Sequence, residues 1–207
     1  AEAMASLESQ TNENLSPGVV LSVAKELRKL STEPLDGIKV VVNEEDITDV
    51  TAELSGPEAT PFQGGTYKVK LVLPSDFPHS PPKGYFLTKI FHPNVSKTGE
   101  ICVNTLKKDW RCDLGIGHVL QVVRCLLINP FPESALNDEA GKLFMEDYQQ
   151  YFTKAQMITE VHARPTSEAS TAADATEGGP SEKRQKPVES KAVEKRRQEK
   201  KKSIKRL

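Results

Sequence analysis

The apolar residues of this chain change period twice along its length, which confines it to few folds. Val19, Val20, Val23, Leu27 and Leu30 recur at the spacing of one helix face. From Ile38 the period drops to two: Ile38, Val40 and Val42, then Val50, Ala52 and Leu54, then Tyr67, Val69, Leu71 and Leu73. Such alternation marks strands with one buried face. Helical spacing returns at Val119, Leu120, Val122, Val123, Leu126 and Leu127, and again from Leu143 through Phe144, Tyr148, Tyr151 and Phe152 to about His162. Strands in one block flanked by helices predict an α+β domain, with an antiparallel meander carrying helices on one side.

The punctuation agrees with this division. Ser16 reads as an N-cap with Pro17 at the first helical position, and Glu33-Pro34 ends that helix. Gly56-Pro57 and Gly64-Gly65 mark turns, and Tyr85-Phe86-Leu87 follows a proline-rich stretch as a short fourth strand. Asp113 or a close neighbour is expected to cap the helix that stops at Asn129-Pro130, and Asn137 to cap the last helical stretch, with a break near Asp147. Residues 1–15 read as a flexible N-terminus, in which Ala1-Glu2-Ala3 before Met4 resembles a cloning remnant. Residues 16–162 form the folded domain. Residues 163–182, rich in Ser, Thr, Ala, Glu, Gly and Pro, bury too little apolar area to offset ordering entropy and read as a disordered linker. Residues 183–207 form a basic tail with twelve Lys or Arg against three Glu, a charge of +9; the whole chain carries −1, so the remainder carries −10. Two segments so unlike in charge predict different partners.

Three cysteines, Cys102, Cys112 and Cys125, are too few and of the wrong parity for a disulfide framework. No Cys-x-x-Cys or His-x-x-x-His spacing suggests a metal. No leader pattern is visible, and no run approaches the ~18–20 apolar residues of a membrane span. These features predict a soluble intracellular protein. Residues 89–113 hold no period at all, yet contain Cys102 and the single tryptophan, Trp110. An irregular stretch of that length inside a compact domain points to function. A thiolate is both a good nucleophile and a good leaving group, as an acyl carrier requires. No Lys, Arg or His adjoins Cys102, and Glu100 lies two residues before it, which predicts modest reactivity.

His92-Pro93-Asn94, with Cys102 eight positions after Asn94, resembles the signature of ubiquitin-conjugating enzymes, and Gly56-Pro57, Pro61-Phe62-Gln63-Gly64-Gly65, Pro81-Pro82-Lys83 and Trp110 are similar to family words as well. The likeness runs from about Asn14 to His162. It implies the conjugating-enzyme fold, with ubiquitin held as a thioester on Cys102 and passed to a lysine amine. It also implies ubiquitin, an activating enzyme and a ligase as partners. No metal or organic cofactor is implied; ATP is consumed upstream by the activating enzyme, and no phosphate-cradling Gly-rich loop is present. Asn94 then either stabilises the oxyanion formed on amine attack or orders the loop around the cysteine, roles that do not exclude each other. His92 and Pro93 take structural roles in the motif rather than forming a Cys–His dyad. Ser134 falls where the family holds a polar gate over the cysteine, and Asp138 where it holds an acid that helps the incoming lysine lose its proton. His118, Gln121, Cys125 and Ile128 form the stripe opposite the core face of their helix; in the family that helix clamps the donor ubiquitin.

Within the family, the words at residues 82–94 and 132–137 are similar to the S-type branch, which elongates ubiquitin chains with the anaphase-promoting complex and prefers the lysine at ubiquitin's eleventh position. The C-terminal Ile204-Lys205-Arg206-Leu207 is similar to the peptide by which that branch docks on its ligase. Asp138 is shorter than the Glu of the branch, so linkage choice is less well specified than activity. His79 replaces an aromatic residue, and Arg111-Cys112-Asp113 a Ser-Pro-Ala loop, at the family's usual RING-docking positions, so recruitment through the tail is expected instead. The tail clusters Lys183-Arg184, Lys195-Arg196-Arg197 and Lys200-Lys201-Lys202 also resemble a bipartite import signal, giving a nuclear and cytoplasmic location. With no aromatic or base-reading element in the tail, specific nucleic-acid binding is not expected. The alternatives are conjugation of another ubiquitin-like modifier, service to a different ligase, and a non-catalytic ubiquitin-binding scaffold. Scaffolds of that kind lack the cysteine.

Overall fold

The structure, a computed structural model, describes residues 15–43, 46, 49–108 and 110–164. Residues 165–182 of the linker, the basic tail and its terminal Ile204-Lys205-Arg206-Leu207 lie outside that range. Helix α1 (Pro17–Thr32) begins as the sequence predicts: the Ser16 hydroxyl accepts from Val19 N–H, Pro17 follows at the first position, and Val23, Leu27 and Leu30 are buried. A turn through Gly37, at φ +65°, leads into a four-stranded antiparallel meander of β1 (Ile38–Val41), β2 (Val50–Ser55), β3 (Thr66–Val72) and β4 (Lys83–Phe86). The register lines up the buried side chains in rows across the sheet. Ile38 stands opposite Leu54 and Leu54 opposite Tyr67; Val40, Ala52, Val69 and Phe86 form a second row; Val50 and Leu71 continue to Gly84 in a third. Every one of these apolar residues is buried, and the helices cover that face.

Four local expectations need correcting. First, β4 starts at Lys83, because Lys83 and Gly84 extend the pairing with Val72 and Leu71; Leu87 instead donates sideways to Lys68 O. Second, residues 89–113 are not wholly irregular. Val95 bridges to Ile101 and Tyr85 to Glu100, and a short helix α2 (Val103–Lys107) follows Cys102. Five residues are too few to print a period. Third, Asp113 does not cap α3 (Ile116–Ile128); it is exposed and pairs with Arg111 at 3.2 Å. Gly115 occupies the N-cap, and the carboxylate that reaches the α3 backbone belongs to Glu26 of α1, whose Oε1 accepts from Gly117 N–H at 3.0 Å. Fourth, the folded unit runs one residue past His162. Ala163 is buried and its carbonyl accepts from Thr66 N–H at 2.8 Å, which pins the last helix to the sheet. At the other end, Leu15 already packs against the core.

The C-terminal helices follow the sequence closely. Asn137 Oδ1 accepts from Ala140 N–H to start α4 (Asp138–Glu146), and Asp147 breaks the run and accepts from Gln150 N–H to start α5 (Tyr148–His162). Two buried tyrosines differ in their polar ends. Tyr67 OH is 2.8 Å from Thr159 Oγ1, and burial still pushes its pKa up to about 12. The Tyr151 hydroxyl is buried without a hydrogen-bond partner among the described residues, although its ring packs against Phe91, Phe144 and Tyr148. Removing an unpaired buried hydroxyl relieves its desolvation cost. Tyr151→Phe is therefore expected to stabilise the protein by roughly 1 kcal/mol, and Tyr67→Phe to destabilise it, in urea unfolding.

Candidate active site

Cys102 is held by backbone pairing rather than by its own side chain. Ile101 N–H donates to Gly84 O at 2.9 Å, and Cys102 N–H donates to Asn94 O at 3.0 Å. Gly84 leaves room there, since a Cβ would come within 2.8 Å of Ile101 Cδ1 and displace it. Cys102 as a residue is only 6% exposed, at the head of α2.

The three residues of the His-Pro-Asn motif tie this position to the rest of the domain. His92 is fully buried. Its Nδ1 accepts from Asn94 N–H at 3.0 Å, and its Nε2 lies 2.9 Å from Leu126 O in α3, so the ring is the tautomer with the proton on Nε2. Burial lowers its pKa to about 4, against the weaker opposing effect of the Leu126 carbonyl. Both ring nitrogens are occupied, which leaves none to act as base toward the thiol. Pro93 O accepts from both Leu136 N–H and Asn137 N–H, at 2.8 and 3.0 Å. The Asn94 amide is also buried. Nδ2 donates to Phe131 O at 2.6 Å and to Ser134 O at 3.0 Å, while Oδ1 accepts from Phe131 N–H at 2.8 Å. Both amide protons are thus engaged with the segment that carries Ser134.

The remaining predicted residues fall around this frame. Ser134 lies in the 3₁₀ turn Pro132–Ser134 and lines a groove of about 1000 Å³. Asn104, Lys107 and Lys108, just after Cys102, line the same groove, as do His118, Gln121 and Cys125 of α3. Ile128 does not join them. It lines a separate cavity of about 280 Å³ with Phe144 and Tyr148, so the predicted four-residue stripe divides between two depressions. Asp138 is exposed in the first turn of α4 and makes no ion pair among the described residues. Its neighbour Glu139 is hydrogen-bonded to Lys154, which holds that carboxyl below its usual range. Of the two acids at this helix start, Asp138 is the uncommitted one.

His79 and Cys112 come together, with Nδ1 3.8 Å from Sγ, and Trp110 Nε1–H donates to Pro78 O beneath them. The loops that carry His79 and Cys112 thus meet on one exposed surface. Among the described residues no group of three His, Cys, Asp or Glu is placed to hold a metal. Sequence reading missed Phe131 and Glu26. Phe131 meets Asn94 through its backbone, which leaves no side-chain signal. Glu26 acts on a residue 91 positions away.

The His92 geometry has a pH consequence. Its folded pKa lies below the ordinary 6.5, so the native state resists protonation. The stability contributed by the neutral ring is fully present above pH 6.5 and is lost as pH falls toward 4. Across that window the stability advantage of wild type over His92→Gln is expected to shrink by about 3 kcal/mol, read from urea unfolding at each pH.

The motif residues, the groove and the meander agree with what comparison with known proteins finds. The family described as Ubiquitin-conjugating enzyme matches residues 22–159. The chain is 61% identical over 155 residues to "Ubiquitin-conjugating enzyme E2 S" of Branchiostoma floridae, covering 75% of this chain and 73% of the relative. It is 54% identical over 200 residues to the protein of the same name from Drosophila willistoni, covering 94% of this chain and 96% of that one. A crystal structure of a candidate ubiquitin conjugating enzyme from Plasmodium yoelii superposes with a TM-score of 0.65 at 32% identity, over 70% of this chain and 96% of the other. With its strands, its His-Pro-Asn frame and its relatives in agreement, the chain belongs to the ubiquitin-conjugating enzyme family and resembles its S-type members.

Proposed function

We propose that Cys102 is the residue on which this ubiquitin-conjugating enzyme carries its thioester. The observation behind this reading is the set of hydrogen bonds from His92, Pro93 and Asn94, which fixes the Cys102 backbone between β4 and α3. The family's partners are ubiquitin, an activating enzyme and a ligase. In the charging step the Cys102 thiolate attacks the thioester carbonyl of ubiquitin on the activating enzyme. A new C–S bond forms, the old one breaks, and the activating enzyme's thiolate leaves. In the discharge step a lysine amine attacks the Cys102 thioester, loses a proton, and expels the Cys102 thiolate as the isopeptide bond forms. Asp138, exposed and free of an ion pair, is the acid we assign to that proton. Asn94 acts chiefly by ordering residues 131–134, since an oxyanion role requires one of its two engaged amide protons to be released. His118, Gln121 and Cys125, on the groove wall, take the donor ubiquitin.

The finer reading is elongation of lysine-eleven-linked chains with the anaphase-promoting complex. Its support is the match to S-type relatives over 94% of the chain, which extends into the basic tail. On this reading Ile204-Lys205-Arg206-Leu207 docks on the ligase, and the preceding basic clusters serve nuclear import.

Charging separates the core claim from its rivals. With activating enzyme, ATP and ubiquitin, wild type is expected to form a reductant-sensitive adduct, Cys102→Ala none, and Cys125→Glu a normal adduct that discharges about tenfold more slowly. No adduct with ubiquitin from a folded protein favours another modifier. Deleting the last four residues is expected to abolish ligase-dependent chains while leaving charging and nuclear import intact; unchanged chain formation would remove the docking role.

A further inference from the structure

We propose that Glu26 is a positioning residue for ubiquitin discharge: its carboxylate holds the N-terminus of α3 in the register that presents His118, Gln121 and Cys125 to the groove. The proposal rests on the reading of that helix face as the donor-ubiquitin surface.

Helix α3 has no cap of its own. Gly115 stands at its N-cap, and its first turn contains no acidic residue. The first-turn N–H groups of a helix need acceptors from elsewhere. Gly117 is buried, so its N–H would be left unpaired without Glu26 Oε1 at 3.0 Å. A carboxylate at this end also meets the positive pole of the helix.

The surroundings are built to this contact. A Cβ on Gly115 would fall 2.0 Å from Glu26 Oε1, and one on Gly117 would press on Leu30 of α1 at 3.2 Å. Two glycines thus let α1 and α3 approach closely enough for the side chain to reach. Elsewhere α3 is tied by Arg124 to Asp36 at 3.1 Å and, at Leu126 O, by His92. Glu26 supplies the tie at the remaining end. It also borders a cavity with Phe77, Pro78, Cys112 and Asp113, beside the exposed loops that hold His79 and Cys112.

The test uses full-length protein charged with ubiquitin, stripped of ATP, and chased with free lysine over a concentration range. Glu26→Ala is expected to lower the maximal discharge rate about tenfold, within what misplacement by a remote group costs, and to leave the lysine concentration for half-maximal rate unchanged. Glu26→Gln keeps an oxygen that accepts from Gly117 N–H and is expected to restore the rate to within about twofold. Glu26→Asp keeps the charge but falls short by one methylene, and is expected to behave as Ala; it is the deciding variant should Ala fail to fold. Wild-type rates in Asp and Ala, or a Gln variant as slow as Asp, overturn the proposal. Cys125→Glu separates the two ideas: normal discharge by that variant removes the donor-face reading, whereas slow discharge there with normal discharge in the Glu26 variants removes only the role of Glu26.

Discussion

The buried imidazole of His92 accepts one hydrogen bond from Asn94 N–H and donates another to Leu126 O, and the geometry around Cys102 follows from that neutral ring. One nitrogen sets the backbone of the motif; the other sets its distance from α3. Pro93, which has no N–H to satisfy, leaves its carbonyl to take two donors from residues 136 and 137. Asn94 uses its carbonyl for the Cys102 backbone and its amide for residues 131 and 134. Three adjacent residues therefore connect the cysteine, helix α3 and the segment carrying Ser134. Buried polar networks of this kind tolerate no partial loss, because each orphaned group then bears its full desolvation cost. This geometry needs no special reactivity in any of the three side chains.

The sheet supplies the other constraint. The third row of buried residues ends on Gly84, its one position without a side chain, and Ile101 and Leu106 reach into that space from either side of Cys102. The cysteine is thereby registered against the core by its two apolar neighbours, while its own thiol makes little contact with solvent. A rigid sheet and a rigid helix hold the site from opposite sides, and the segment that closes it is short.

The fold was readable because its signals are local. Alternation at Ile38 to Leu73 and helical spacing at Val119 to Leu127 are consequences of one-sided burial, and caps at Ser16, Asn137 and Asp147 act within three residues. The failures are equally physical. Helix α2 is too short to show a period, and β4 is defined by its partner strand rather than by its own residues. Asp113 looked like a cap because caps are usually local; the α3 terminus is served instead from α1, and nothing in a linear reading marks Glu26. At the site, residue types were legible but allegiances were not. Ile128 shares a helical stripe with Cys125 yet faces a different cavity, since a stripe drawn on an ideal helix ignores what packs beside each end.

A carrier of an activated acyl group faces a requirement opposite to that of a hydrolase. It must yield the group to an amine but withhold it from water, which is far more abundant. A thiol beside a free imidazole would serve water as readily as amine, because the same base activates both. Here the nearest motif imidazole is buried, neutral and bonded at both nitrogens. The acid assigned to the acceptor, Asp138, stands exposed on another element, able to engage an incoming lysine ammonium by charge, which water lacks. On the proposed reading, selectivity for amine over water comes from withholding the motif imidazole from the nucleophile and offering Asp138 to the cationic acceptor. The brace role proposed for Asn94 fits the same logic: a donor free to reach the oxyanion would stabilise attack by any nucleophile, whereas an amide bonded to residues 131 and 134 orders the wall beside the cysteine.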